Sequence, residues 1–145
     1  MIKIISSIPC NKGNYSQEDL QHKYIVMHWT GVLNQTAEGN AVYFNREDNL
    51  NASAHYFVDD KEIFNSVPIH DIAWHCGSSK GYKHPDARNY NSIGIEMCFN
   101  TDKDKNVKMI QNAVELVKRL RAIYNIPIRN IIKIINTVFI FLSFS

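Results

Sequence analysis

The sequence predicts an α/β domain: a mixed central sheet of about five strands with helices packed on it. Three observations predict it. Short β-rich apolar runs recur at 23–29, 53–58, 62–67 and 92–99, and two stretches of helical period, 36–46 and 102–124, are interleaved with them. The chain has 145 residues, 45% of them apolar, which suits one core and argues against two domains. Six glycines and four prolines are too few for a collagen-like or low-complexity chain.

The elements follow in order. Met1-Ile2-Lys3-Ile4-Ile5 is a short apolar run broken by Ser6, Ser7 and Pro9; it reads as a first strand or an arm and lacks the length of a signal peptide. Residues 23–29 read as a buried central strand closed by Thr30-Gly31. Thr36 is placed to cap a helix to about Arg46, with Ala37, Ala41 and Phe44 on one face. Strand 53–58 turns at Asp59-Asp60 and returns as 62–67, which Pro68 stops. A short apolar stretch, 71–75, leads into a long loop, 76–90, and loops of that length in compact domains usually carry function. In 92–99, Ile93, Ile95, Met97 and Phe99 share one face, and Gly94, Glu96 and Cys98 the other. Thr101 or Asp102 caps the last helix, whose Ile110, Ala113, Val114, Val117, Leu120 and Tyr124 recur at helical spacing until Pro127 forbids extension.

Composition narrows the function. The net charge is +2 with no basic cluster, so nucleic acid is not an expected partner. Three cysteines form no CxxC pair and read as reduced thiols. The apolar run 131–144 is shorter than a bilayer span and contains Lys133 and Asn136, so no stable membrane span is expected.

Among side chains, His28 ends an apolar strand, where α/β proteins place reactive groups; a half-buried imidazole bonded to a carbonyl fits the same position. Glu96 lies mid-strand between Ile95 and Met97. If buried, its pKa rises toward the range of a general acid or base; the other arrangement is an outward-facing carboxylate. His55 and His75 fit a ligand, a substrate contact or a core residue, while His22, His70 and His84 sit in polar, solvated settings. No HExxH, nucleophile elbow or phosphate loop occurs. A metal-bound water facing both His28 and Glu96 is one chemistry that uses the pair. A second metal set, His28 with His55 or His75 plus Glu96 or Cys98, requires all of them on one face.

Four stretches taken together carry a resemblance: KYIVMHWTG at 23–31, NASAHYFVDDKEIFNSVP at 51–68, DIAWHCG at 71–77 and NYNSIGIEMC at 89–98. In this order they resemble the zinc-dependent N-acetylmuramoyl-L-alanine amidases of phage-endolysin and autolysin type, whose fold is shared with peptidoglycan recognition proteins. The match covers roughly Lys23 to Pro127. The resemblance implies a mixed sheet backed by a long helix, and hydrolysis of the amide between the lactyl group of N-acetylmuramic acid and L-alanine of the stem peptide. It implies His28 as a zinc ligand, Glu96 as the catalytic acid/base, and His75 and Asn91 as residues of the substrate groove. Ala54 stands where some relatives carry a Tyr. Peptidoglycan is the implied partner, zinc the implied cofactor, and the implied location is the cytoplasm until release to the cell wall.

The departure lies after the long helix. The family's other two zinc ligands are a His in an Arg-His-Tyr-Asp-like motif and then a Cys or Asp; this chain has no His or Cys beyond Cys98. From Asn125 to Ser145, 12 of 21 residues are Ile, Val, Leu or Phe, and the only charges are Arg129 and Lys133. The expectation is an amidase-like domain over 1–132 followed by an aberrant apolar tail over 133–145, as a truncation or frameshift would leave, with the chain after Pro127 packing loosely and not forming the domain's normal closing segment. Zinc binding and activity are then expected to be weak or absent. The competing functions are a non-catalytic peptidoglycan-binding module and a defective prophage remnant.

Overall fold

Residues 5–77 and 81–134 are those described by the computed structural model. In chain order the strands are Ile5–Ser7 (β1), Tyr15–Ser16 (β2), Tyr24–Trp29 (β3), Tyr56–Val58 (β4), Ile63–Asn65 (β5), Ile72–Ala73 (β6), Ser92–Met97 (β7) and Ile131–Ile134 (β8). The helices are Ala37–Arg46 (α1) and Lys103–Tyr124 (α2). The main sheet has six strands in the order β1-β5-β4-β7-β3-β8, one more than the sequence suggested. Only the β4–β5 hairpin is antiparallel; the other neighbours run parallel. β2 and β6 form a small separate antiparallel pair.

Strand alternation divides the core in two. Ile25, Met27, Tyr56, Val58, Ile63, Ile93, Ile95 and Met97 face α2 and pack on its Met109, Ala113, Leu116, Val117 and Leu120. Burying each large side chain of this set contributes about 1.5–3 kcal/mol. On the opposite face α1 covers only one side of the sheet, where Ala37 and Ala41 pack on Phe57 and Phe64. Val26 of β3 is covered instead by Cys76 and Ala87 of the long loop, with Ile132 and Ile134 beside them. Between these two covers lie the residues that end β3 and β7.

Both helices begin where the sequence sets a cap. Thr36 Oγ1 accepts from Gly39 N–H at the start of α1. Buried Asp59, read from sequence as a turn signal, does more. Its Oδ2 accepts the first amide of α1, Ala37 N–H, at 2.8 Å, while Oδ1 accepts Lys61 and Glu62 N–H at 2.8 and 2.7 Å. Asp102 Oδ1 accepts from Asp104 N–H at the start of α2, and Asn125 ends that helix in the left-handed conformation at φ 54°.

β8 corrects one expectation. Loose packing was expected of the apolar tail, yet Ile131–Ile134 pairs with Ile25–His28 as a parallel edge strand. Asn130 Nδ2 donates to Lys23 O at 2.9 Å just before it. The reason is periodicity over four residues: Ile131 meets the α2 core, and Ile132 and Ile134 meet the Val26 cluster. The remaining residues of the expected tail, 135–145, lie outside the described residues.

Candidate functional site

β3 and β7 run side by side in parallel register, which sets His28 directly opposite Glu96. Adjacent strands lie about 4.8 Å apart. Both residues are fifth of six in their strands, so they sit near the carboxyl ends on the face away from α2. Phe57 of β4 flanks Glu96 on its other side, beneath α1.

Glu96 is held in an apolar setting. Its Oε2 is buried and has no hydrogen-bond partner among the described residues. Burial alone pushes its pKa up to about 7. A carboxyl with that value holds and releases a proton near neutrality. His28 is buried, and burial, with a contribution from Lys83, lowers its pKa to about 4, so its ring is neutral.

Of the other strand-associated histidines, His75 bonds His28 and His55 is held by backbone groups. His75 Nδ1 lies 3.0 Å from His28 Nε2, and His75 Nε2 lies 3.2 Å from both the carbonyl and the hydroxyl oxygen of Ser92. Burial, then His28 and His55 nearby, hold the His75 pKa well below its usual value. His55 is fully buried: its Nδ1 accepts Gly94 N–H at 3.0 Å and its Nε2 donates to Asp71 O at 2.9 Å. Asn91 has its side chain tied into the loop, Oδ1 accepting Arg88 N–H at 2.7 Å and Nδ2 donating to Asp86 O at 3.0 Å.

Sequence reasoning missed Asn89, whose Oδ1 accepts both His75 N–H at 2.9 Å and Cys76 N–H at 2.7 Å and so clamps the loop that carries His75. No spacing rule distinguishes it from Asn91. His22 and His84, expected to be solvated, are half-buried: His22 stacks on Tyr124 at 3.9 Å between centroids, and His84 Nδ1 accepts Asp86 and Ala87 N–H. His70 is exposed as expected.

A three-ligand zinc centre does not fit this donor set. Beyond Cys98 the chain offers no His or Cys, and the strand beside β3 presents Ile132 and Ile134 next to Val26 and His28. The second set fails as well. Both ring nitrogens of His55 and of His75 are engaged in hydrogen bonds, and burial pushes the Cys98 thiol up to about 12, against the thiolate a metal needs. Among the described residues no three His, Cys, Asp or Glu converge on one point. The three cysteines are buried free thiols.

Fold and site together define an α/β protein that keeps a buried carboxyl beside a neutral imidazole at the carboxyl ends of its central parallel strands. Comparison with known proteins narrows the class. Residues 18–137 match the N-acetylmuramoyl-L-alanine amidase family model, a span that reaches beyond Pro127. A probable N-acetylmuramoyl-L-alanine amidase of Bacillus licheniformis is 33% identical over 143 residues, covering 92% of this chain and 40% of that protein. The amidase XlyA of Bacillus subtilis (strain 168) is 34% identical over 135 residues, covering 91% and 43%. The solved catalytic domain of XlyA superposes with a TM-score of 0.76 at 31% identity, covering 90% of this chain and 84% of that one. PlyL superposes with the same score at 30% identity, covering 90% and 80%. The chain belongs to the N-acetylmuramoyl-L-alanine amidase family. It spans about 40% of the length of these curated relatives.

Proposed function

We propose that this domain recognises the amide between N-acetylmuramic acid and L-alanine in peptidoglycan and that Glu96 is its proton-transfer residue. The observation that carries the reading is Glu96 Oε2, buried and unpartnered, opposite His28 on the adjoining strand. Ionised Glu96 takes a proton from water as the water oxygen attacks the lactyl carbonyl. It returns the proton to the L-alanine nitrogen as the C–N bond breaks, leaving a carboxylate product and a free amine. His28 borders the reacting amide, while His75 and Asn91 hold the wall of the groove. The place of action is the cell wall, reached after release from the cytoplasm.

No step is routed through zinc, because this chain's donors do not fit it. Acid–base help alone contributes roughly 10²- to 10⁴-fold, and enzymes generally need 10⁶-fold or more (about 8 kcal/mol). Binding with slow turnover is therefore the expected behaviour. The incomplete donor set also favours a second reading, a peptidoglycan-binding module without turnover.

The test measures both properties on purified protein. A muramoyl-peptide titrated in a calorimeter should bind saturably, and new amino groups should appear slowly on cell walls and fall to background in Glu96→Gln. Absence of binding would refute the reading. Binding without any release would establish the binding module. Fast release abolished by a chelator would show that the donor set has been read wrongly.

A further inference from the structure

We propose that His75 is a positioning residue that fixes the proton of His28 on Nε2 and leaves His28 Nδ1 as the nitrogen open to a ligand or a proton. The inference rests on reading His28 as a site residue and follows from counting protons along one hydrogen-bond chain. Ser92 Oγ lies 2.6 Å from Arg88 O, an acceptor only, so the hydroxyl proton is committed there. Ser92 then offers His75 Nε2 nothing but acceptors: its carbonyl and its hydroxyl oxygen, each at 3.2 Å. His75 Nε2 must carry the ring proton.

A neutral imidazole carries one proton, so His75 Nδ1 is a lone pair. Its neighbour at 3.0 Å, His28 Nε2, must donate to it. With Nε2 committed as the donor, Nδ1 is the His28 nitrogen that a neutral imidazole leaves without a proton. Cys76 Sγ, 3.5 Å from His75 Nδ1, 4.0 Å from His75 Nε2 and 3.3 Å from Ser92 Oγ, is a weak partner as donor or as acceptor and leaves the order unchanged. The opposite order would set the His75 Nε2 lone pair against the Ser92 carbonyl, leaving two buried acceptors face to face.

The surroundings hold His75 for this task. Asn89 clamps the amides of His75 and Cys76, and the missing side chain of Gly94 leaves the space its ring occupies. The two ring planes cross at 83° with their centroids 5.2 Å apart, and the nitrogens His28 Nε2 and His75 Nδ1 are the atoms in hydrogen-bond contact. Orientation of a site imidazole by a second hydrogen-bonded group is a general way of selecting its reactive nitrogen.

The experiment reads the proton directly by NMR on histidine-labelled full chain. A scalar coupling across the hydrogen bond should join His28 Nε2 to His75 Nδ1, with the proton bonded to His28. His75→Leu, which offers no acceptor, should speed exchange of that proton with water roughly tenfold, the equivalent of one hydrogen bond of about 1.4 kcal/mol. His75→Asn, whose Oδ1 can stand where Nδ1 stood, should restore most of the protection. A proton bonded to His75 Nδ1, no coupling in the unsubstituted chain, or unchanged exchange in folded His75→Leu would overturn the proposal. The coupling in the unsubstituted chain needs no variant to fold. No substrate enters the measurement, so its failure leaves the amidase reading to the wall assay.

Discussion

Gly94 lies against the imidazole of His75: a Cβ on Gly94 would meet His75 Cγ at 2.6 Å and Nδ1 at 2.8 Å. The neighbour is a ring held at both nitrogens, so it has little room to give. Gly94→Ala is expected to destabilise the fold by about 1–3 kcal/mol, as overpacking of a core does, and to pull His75 away from His28. Urea unfolding measures the first effect. A loss under about 0.5 kcal/mol, within the range of an ordinary surface change, would show that the ring moves freely.

Asp59 joins three backbone amides across two elements, the first turn of α1 and the β4–β5 turn. Hydrogen bonds to a charged group contribute about 1.5–3 kcal/mol each when buried. Asp59→Ala should therefore cost at least about 2 kcal/mol, with amide exchange rising first at Ala37, Lys61 and Glu62. Equal loss of protection at all amides would mean that the carboxylate does not act locally.

Glu96 should destabilise the fold at high pH. Its folded pKa of about 7 lies above the ordinary 4.5, so the folded state holds the proton more tightly between those values. Stability from this group is complete below pH 4.5 and is lost as pH rises through 7. Glu96→Gln should raise unfolding free energy at pH 8 by up to about 3 kcal/mol, at 1.36 kcal/mol per pKa unit, and change little at pH 4. The same increment at both pH values would contradict the burial argument.

His55 acts with the opposite sign. Burial lowers its pKa from 6.5 to about 4, and its Nδ1 already accepts an amide proton from Gly94. The unfolded chain takes up this proton first, so stability is full above pH 6.5 and falls as pH drops toward 4. In a Glu96→Gln background, which removes the opposing carboxyl, His55 should contribute about 2 kcal/mol to the fall in unfolding free energy from pH 7 to pH 5, on top of the losses from His28 and His75, whose pKa values burial also lowers. A flat profile there, or a His55 ring that titrates near 6.5 by NMR in the folded chain, would refute it.

The sequence by itself determined the α/β class, both helix starts, the strand that carries Glu96, and the family. These depend on local period, on capping residues and on four ordered motifs. Alternation in 92–99 was enough to separate Ile93, Ile95 and Met97 from Glu96, because strand side chains alternate whatever the neighbours are. Tertiary structure decided the rest. That β7 lies between β4 and β3, so that Glu96 meets His28, is a matter of strand order, which period cannot encode. The pairing of Ile131–Ile134 with the edge of β3 has the same cause: four β-branched and basic residues form a strand once an open edge and an apolar cluster await them. The roles of His75 and Asn89 were hidden for a further reason. Each acts through hydrogen bonds to residues 13–47 positions away in the chain, and the partners of a buried polar group are chosen by the fold that buries it.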